Sequence, residues 1–261
     1  MITSNNNVSL LHFELLHACA GLVHAVSTRT GRHGELDCAW SPGDNALRLR
    51  RNLEIIATAL DVDPAFVCCA RQVHGISVKC IDALPELDPA EPCRVCGEYD
   101  ALITDLPGIT LLIRVADCVP IVLFDPVRRV VAVVHAGWKG TLADIVSATV
   151  ERMCDHYGCR AADLLAGIGP SIGPCCFDVG ADVAQQFRSA PGLSGCVRTD
   201  LKACRIDLPG ANRASLLRCG VLPHNVEMSG YCTACRLDIF FSHRGEQGNT
   251  GRFGLFAGLR V

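Results

Sequence analysis

The sequence predicts a mixed-sheet α/β or α+β fold, and three observations carry that reading. Short apolar, β-rich runs cluster between Ile109 and Val134, separated by turn residues. Segments with apolar residues at helical spacing lie around them, without the strict strand–helix alternation that would demand an all-parallel sheet. No repeat, low-complexity tract or linker-like composition shift divides the 261 residues, which are read as one domain, 1–261.

The elements follow in order. The polar stretch Met1 to Asn7 is read as a disordered tail. Asp44 caps a helix running to about Leu60, with Leu49, Leu53, Ile56, Ala57 and Leu60 along one face, and Asp61 and Pro64 stop it. Phe66 to Cys69 and Ile76 to Ile81 are short strands on either side of Arg71-Gln-Val-His74-Gly75. Ile109 to Val115 and Pro120 to Phe124 bracket Ala116-Asp117-Cys118. Asp125-Pro126 begins a turn, and Val130 to Val134 is the third apolar run, ending in His135-Ala-Gly137. Thr141, with Asp144 three residues on, has the pattern of a helix cap. The helix beyond it carries Leu142, Ile145, Val146, Thr149, Val150 and Met153 on one side. Leu164 to Ile168 is a strand leading into Gly169-Pro-Ser-Ile-Gly173. A helix capped by Asp178 follows, and Asp207 with Pro209 opens a later one that Gly220 closes.

Composition excludes several function classes. The net charge is −3 and the 24 Lys and Arg form no basic run, so neither nucleic acid nor an anionic membrane is expected as a partner. The first residues lack the basic and apolar regions of a signal peptide. No apolar run approaches the roughly 20 residues of a membrane span, so a cytoplasmic protein is expected. An odd total of 17 cysteines without a secretory signal argues for free thiols, most of them acting as small buried hydrophobes. The two Cys-x-x-Cys pairs, Cys93/Cys96 and Cys232/Cys235, are too far apart for a compact zinc ribbon, and a structural metal between them is disfavoured.

Three residues share a setting suited to a metal. His74, Cys118 and His135 each sit at or near the end of an apolar strand, beside Gly75, Pro120 and Gly137. Strand ends on one edge of a sheet converge, and two imidazoles with a thiolate match a catalytic zinc that keeps a fourth position for water. Such a zinc lowers the pKa of that water towards about 7. Taken singly, each residue also fits a structural role, so the reading rests on convergence. Asp117, an acid between apolar runs, must find a partner or border a site, as a general acid/base or as a plain hydrogen-bond acceptor. Gly169-Pro-Ser-Ile-Gly173 lacks the Lys-Ser/Thr ending of a phosphate loop and is read as a tight turn. Arg244 and Arg252 flank a Gly-rich turn near the end of the chain, as an anion clamp or as solvated loop residues.

Several motifs together resemble one family. Arg71-Gln-Val-His74-Gly, Tyr99-Asp-Ala-Leu-Ile-Thr104, Ala116-Asp-Cys118-Val-Pro and Val134-His135-Ala-Gly-Trp-Lys-Gly-Thr141 occur in family order. Gly167 to Phe177, Cys232-Thr, Phe241-Ser-His-Arg244 and Thr250-Gly-Arg252 complete the set. Over about residues 20 to 260 the chain resembles the bacterial laccase-domain family, also called polyphenol oxidase or peptidoglycan editing factor, with LACC-type purine nucleoside phosphorylases as animal relatives. The resemblance implies zinc at His74, Cys118 and His135. It also implies a sandwich-like core of mixed sheets flanked by helices, similar to the cytotoxic necrotizing factor deamidases. Lys139 stands where Arg is common and His243 where Tyr is common, which bears on substrate detail.

The resemblance favours a purine nucleoside enzyme acting on small molecules. It would cleave adenosine, inosine or methylthioadenosine with phosphate as co-substrate and deaminate adenosine. Asp117 is then the acid/base group, and Arg71, Lys139, Arg244 and Arg252 are the phosphate-binding candidates. The alternative is a cysteine hydrolase with Cys118 as nucleophile and His135 as base, editing a nucleotide-linked muramoyl-serine precursor. A zinc-sensing or redox-binding protein ranks third. Copper is not expected. A multicopper oxidase needs about ten histidines, mostly as His-x-His, whereas this chain has nine, no His-x-His and no recognisable blue-copper set.

Overall fold

Strands that are apolar at every position need cover on both faces. Val119–Asp125 and Val130–Ala136 are buried along their whole length. They pair antiparallel across a turn in which the Asp125 carboxylate accepts the backbone N–H groups of Val127 and Arg128. Alternation sorts their side chains: Val122, Phe124, Val131 and Val133 enter one core, while Ile121, Leu123, Ala132 and Val134 enter another.

A computed structural model describes residues 1–5, 8–31, 34–40, 46–200 and 203–261 of the chain. Its six-stranded sheet runs in the order Val226–Met228, Leu165–Ile168, Val119–Asp125, Val130–Ala136, Ala101–Thr104, Val78–Cys80. An eight-stranded sheet runs Ile2–Asn5, Val8–Leu11, Leu22–Gly31, Phe253–Leu259, Thr110–Val115, Val67–Arg71, Arg94–Glu98, with Gly34–Glu35 added beside Leu22–Gly31. Both sheets mix parallel and antiparallel pairs.

The two sheets enclose the first core, filled by Phe13, Leu16, Ile113, Phe124, Phe240, Phe253 and Leu255. Helices Ile145–Tyr157, Ala181–Ser189 and Leu208–Arg218 cover the outer face of the six-stranded sheet through Val146, Val150, Met153, Phe187 and Leu216. Helix Ala46–Leu60 covers the outer face of the other sheet through Leu49, Leu53 and Ile56. The result is a mixed α/β fold of two sheets between helices. Among the described residues, no helix is long and apolar enough to cross a membrane.

Several local expectations are revised. Ile2–Asn5, in the segment read as a tail, is a strand paired with Val8–Leu11. The Asp44 cap lies outside the described residues. Thr141 does not cap the helix that begins at Ile145. A short helix, Trp138–Leu142, intervenes, Asp144 accepts from the Ser147 N–H, and Thr141 accepts from the Asn212 side chain. Asp178 lies in a two-residue strand of a small third sheet and pairs with Arg205 at 2.7 Å, so Gly180 caps the next helix. Asp207 does cap its helix, accepting from the Gly210 N–H.

Candidate metal centre and its cavity

The antiparallel register sets Pro120 opposite His135 and Val119 opposite Ala136, so Cys118 and Gly137 continue past the same edge of the sheet. A Cβ on Gly137 would lie 3.3 Å from Cys118 Sγ and 3.8 Å from the His74 ring, so a side chain here would crowd the thiol. His74 arrives on the loop after Val67–Arg71 with φ +59°, a left-handed conformation costly for a non-glycine residue.

Asp100 supplies the compensation. It is fully buried one residue before Ala101–Thr104, the strand beside Val130–Ala136. Its carboxylate accepts the His74 N–H at 3.0 Å and the Gly75 N–H at 2.6 Å, and His135 Nδ1–H donates to it at 2.8 Å. Nδ1 is thus engaged and Nε2 of His135 is left for another partner, the arrangement that orients a metal-binding imidazole.

The donor atoms of His74, Cys118 and His135 lie within 4.8 Å of one another. Tetrahedral zinc with Zn–N of about 2.0 Å and Zn–S of about 2.3 Å needs donors about 3.3–3.6 Å apart, so a small side-chain contraction closes the site. Burial and the Asp100 carboxylate shift the two imidazoles in opposite directions. Burial pushes the His135 pKa down, yet its bond to Asp100 and the nearby Cys118 thiol outweigh this and carry it up to about 9. Burial, then the neighbouring His135, lowers that of His74. Asp100 is held below the usual carboxylate range, its bond from His135 and the Gly75 N–H overcoming the opposing effect of burial.

The trio borders a cavity of about 680 Å³ whose lining also includes Lys139, His243, Arg244 and Arg252. Three of the four cations expected to bind phosphate are therefore gathered there. Arg71 is not among the lining residues; its guanidinium pairs with Glu91 at 2.6 Å. Arg114, unforeseen, takes the place in the cavity wall, above the Trp40 ring. Gln72 fixes that strand from the side, accepting the Arg114 N–H and donating to its carbonyl, both at 2.8 Å.

Asp117 also lines the cavity, at φ +86°. Thr233 and Ser242 hydroxyls donate to its Oδ1 at 2.6 and 2.7 Å, and the Arg244 N–H donates to Oδ2 at 2.6 Å. Three donors hold it in place.

Comparison with known proteins decides the family. The family described as "Multi-copper polyphenol oxidoreductase laccase" matches residues 23–260. The chain belongs to this laccase-domain family. It is 33% identical over 254 residues to a purine nucleoside phosphorylase of Bacteroides thetaiotaomicron, covering 94% of each chain. It is 40% identical over 214 residues to adenosine deaminase RL5 of an unknown prokaryote, covering 80% of this chain and 81% of that one. The crystal structure of YlmD from Geobacillus stearothermophilus superposes with a TM-score of 0.88 at 29% identity, over 99% and 98% of the two chains.

The part of this laccase-domain site that residue patterns missed is its support. Asp100 stands in the Tyr99-Asp-Ala-Leu-Ile-Thr104 motif, an acid abutting an apolar strand, the same signal that singled out Asp117. Arg114 is the one charge in the apolar run Ile109 to Val115, and that too was a legible signal.

Proposed function

We propose that this laccase-domain protein is a zinc-dependent purine nucleoside enzyme. It cleaves adenosine, inosine and methylthioadenosine with phosphate to the base and (methylthio)ribose 1-phosphate, and it deaminates adenosine. The observation that carries the reading is the cavity's charge pattern. The ligand set His74, Cys118 and His135 shares it with Arg114, Lys139, Arg244 and Arg252, against Asp117 as the one carboxylate among its described lining residues. The names of the relatives, purine nucleoside phosphorylase and adenosine deaminase, support the substrate class.

Zinc held by the trio supplies a nucleophile from water at neutral pH and withdraws charge from the reacting centre. The protein's own residues do the rest. Asp100 holds His135 and the His74 backbone so that both imidazoles face one point. Lys139, Arg244 and Arg252 bind the phosphate anion, and Trp40, Trp138 and Phe177 offer flat apolar surface to a purine. A carboxylate has about four acceptor sites. Asp117 uses three of them on Thr233, Ser242 and the Arg244 backbone, so it fixes the Arg244 segment and keeps one site to hold a proton during deamination. The nine histidines fall short of a multicopper set, which sets oxidase chemistry aside despite the family's description.

The test is turnover of adenosine by the zinc-replete enzyme. Phosphate-dependent release of adenine, with inosine formed whether or not phosphate is present, is expected. No turnover of any purine nucleoside would overturn the proposal.

One observation favours a second reading. His135 bonds Asp100 through Nδ1 and has a ring nitrogen within 4.8 Å of the Cys118 sulfur, so without metal the three are placed as a cysteine–histidine–aspartate series. That series supports a hydrolase acting on a nucleotide-linked muramoyl-serine precursor. A thiolate bound to zinc is a poor nucleophile, so a covalent adduct on Cys118 would select this reading over the first.

A further inference from the structure

We infer that the protein carries a second metal site, a closed tetrathiolate for zinc formed by Cys175, Cys176, Cys232 and Cys235. The sulfurs of all four lie within 4.8 Å of one another, with Cys235 Sγ at 3.6 Å from Cys175 Sγ and 3.4 Å from Cys176 Sγ. Four thiolates around zinc at about 2.3 Å stand about 3.8 Å apart, so the cluster already has nearly the size of that tetrahedron.

The surroundings fit bound thiolates better than core thiols. Cys175 and Cys235 are exposed, and Cys176 and Cys232 partly so, whereas a cysteine serving as a small hydrophobe belongs inside. The Gly173 N–H donates to Cys232 Sγ at 3.2 Å, so a backbone dipole points at a position for negative charge. A Cβ on Gly173 would lie 3.3 Å from both Cys175 Sγ and the Cys232 Cβ, so the turn packs directly on the cluster.

The other Cys-x-x-Cys pair serves as a control within the same chain. Cys93 and Cys96 lie three residues apart along one extended segment and face opposite sides of the sheet. Cys93 joins Cys69 in one core and Cys96 packs into the other, so they cannot chelate together.

The site's position gives it a role. It ties the turn after Leu165–Ile168 to the segment beginning at Tyr231, where Ser171 and Cys232 form an isolated bridge and the Thr233 N–H donates to the Ser171 carbonyl at 3.1 Å. Thr233, between the two ligands of the second pair, holds Asp117. Arg244 donates to the carbonyl of Cys176. With four protein ligands and no open position, the metal does no chemistry itself. It staples the wall that carries Phe177 and Arg244 to the catalytic cavity.

Zinc-edge X-ray absorption on the wild-type protein, purified under reducing conditions with zinc, tests this together with metal analysis. Two zinc ions per chain with a mean of about 2.5 sulfur neighbours each are expected, the average of four and one. One zinc with about four sulfurs would support the cysteine site and fail the trio. One zinc with about one sulfur would overturn the inference and leave the trio standing. The variants Cys175→Ser and Cys235→Ser are each expected to lose one zinc per chain while the His74→Ala variant retains it. Undiminished zinc in both cysteine variants, or disulfides among the four in the reduced wild-type protein, would overturn the assignment.

Discussion

Replacing Asp100 by Asn tests how the site is held. The side chain keeps its shape but loses its charge and turns one acceptor oxygen into an NH2 donor. In the native site three donors meet the carboxylate: His135 Nδ1–H at 2.8 Å, the His74 N–H at 3.0 Å and the Gly75 N–H at 2.6 Å. An amide oxygen serves two of them at most, so at least one buried donor is left unpaired at a cost of about 1–3 kcal/mol. The left-handed backbone at His74 loses part of its restraint as well. Loss of a partner that orients a metal-binding histidine lowers metal affinity about 10–100-fold. The assays are competition for zinc against a chelator and thermal unfolding of the metal-free protein. A domain of this size shifts its Tm by about 2–4 °C per kcal/mol. An Asp100→Asn protein with unchanged zinc affinity and unchanged Tm would refute the reasoning.

Other expectations follow from the same geometry. The Gly137→Ala variant places a methyl group 3.3 Å from Cys118 Sγ and is expected to fold while binding zinc at the trio more weakly, read by chelator competition. Truncating Lys139 or Arg252 to Ala is expected to raise the KM for phosphate about 10-fold or more, from loss of one charge-assisted contact of about 1.5–3 kcal/mol. Arg71→Ala, whose guanidinium pairs with Glu91 outside the cavity lining, is expected to leave that KM nearly unchanged. His24 is buried, and burial with His12 and His17 nearby lowers its pKa to about 3, while its Nε2 accepts the Phe13 N–H at 3.0 Å. A histidine with a depressed folded-state pKa contributes stability above its unfolded value of about 6.5 and loses it as pH falls towards 3, at about 1.4 kcal/mol per unit. Denaturant titrations are therefore expected to show wild type losing stability between pH 6.5 and 4 by about 3 kcal/mol more than the His24→Asn variant. Equal losses in the two proteins would remove His24 as the cause.

The middle of the chain was the most legible part of the fold. Runs such as 119–124 and 130–134 are buried on both faces, so their apolar character is continuous, and the chemistry-bearing residues stand out where it stops. That is why His74, Cys118 and His135 were readable as a set. The strand Ile2–Asn5 was not, because Ile-Thr-Ser-Asn carries one apolar side chain and owes its conformation to pairing with Val8–Leu11. Arg71 and Arg114 show the same limit at the site. Both are arginines on neighbouring strands, and only the tertiary contact with Glu91 takes the first out of the cavity. The four-cysteine cluster joins segments about sixty residues apart, a pairing that spacing along the chain does not encode.

The most direct test of the central claim follows adenosine turnover as zinc is removed from the wild-type enzyme by a chelator and restored, with the His74→Ala variant alongside. The expected result is that phosphate-dependent adenine release and inosine formation both fall as zinc leaves, return when it is restored, and are absent in the His74→Ala protein. Full turnover in the metal-free enzyme, or in His74→Ala, would contradict the assignment of the reaction to zinc at His74, Cys118 and His135.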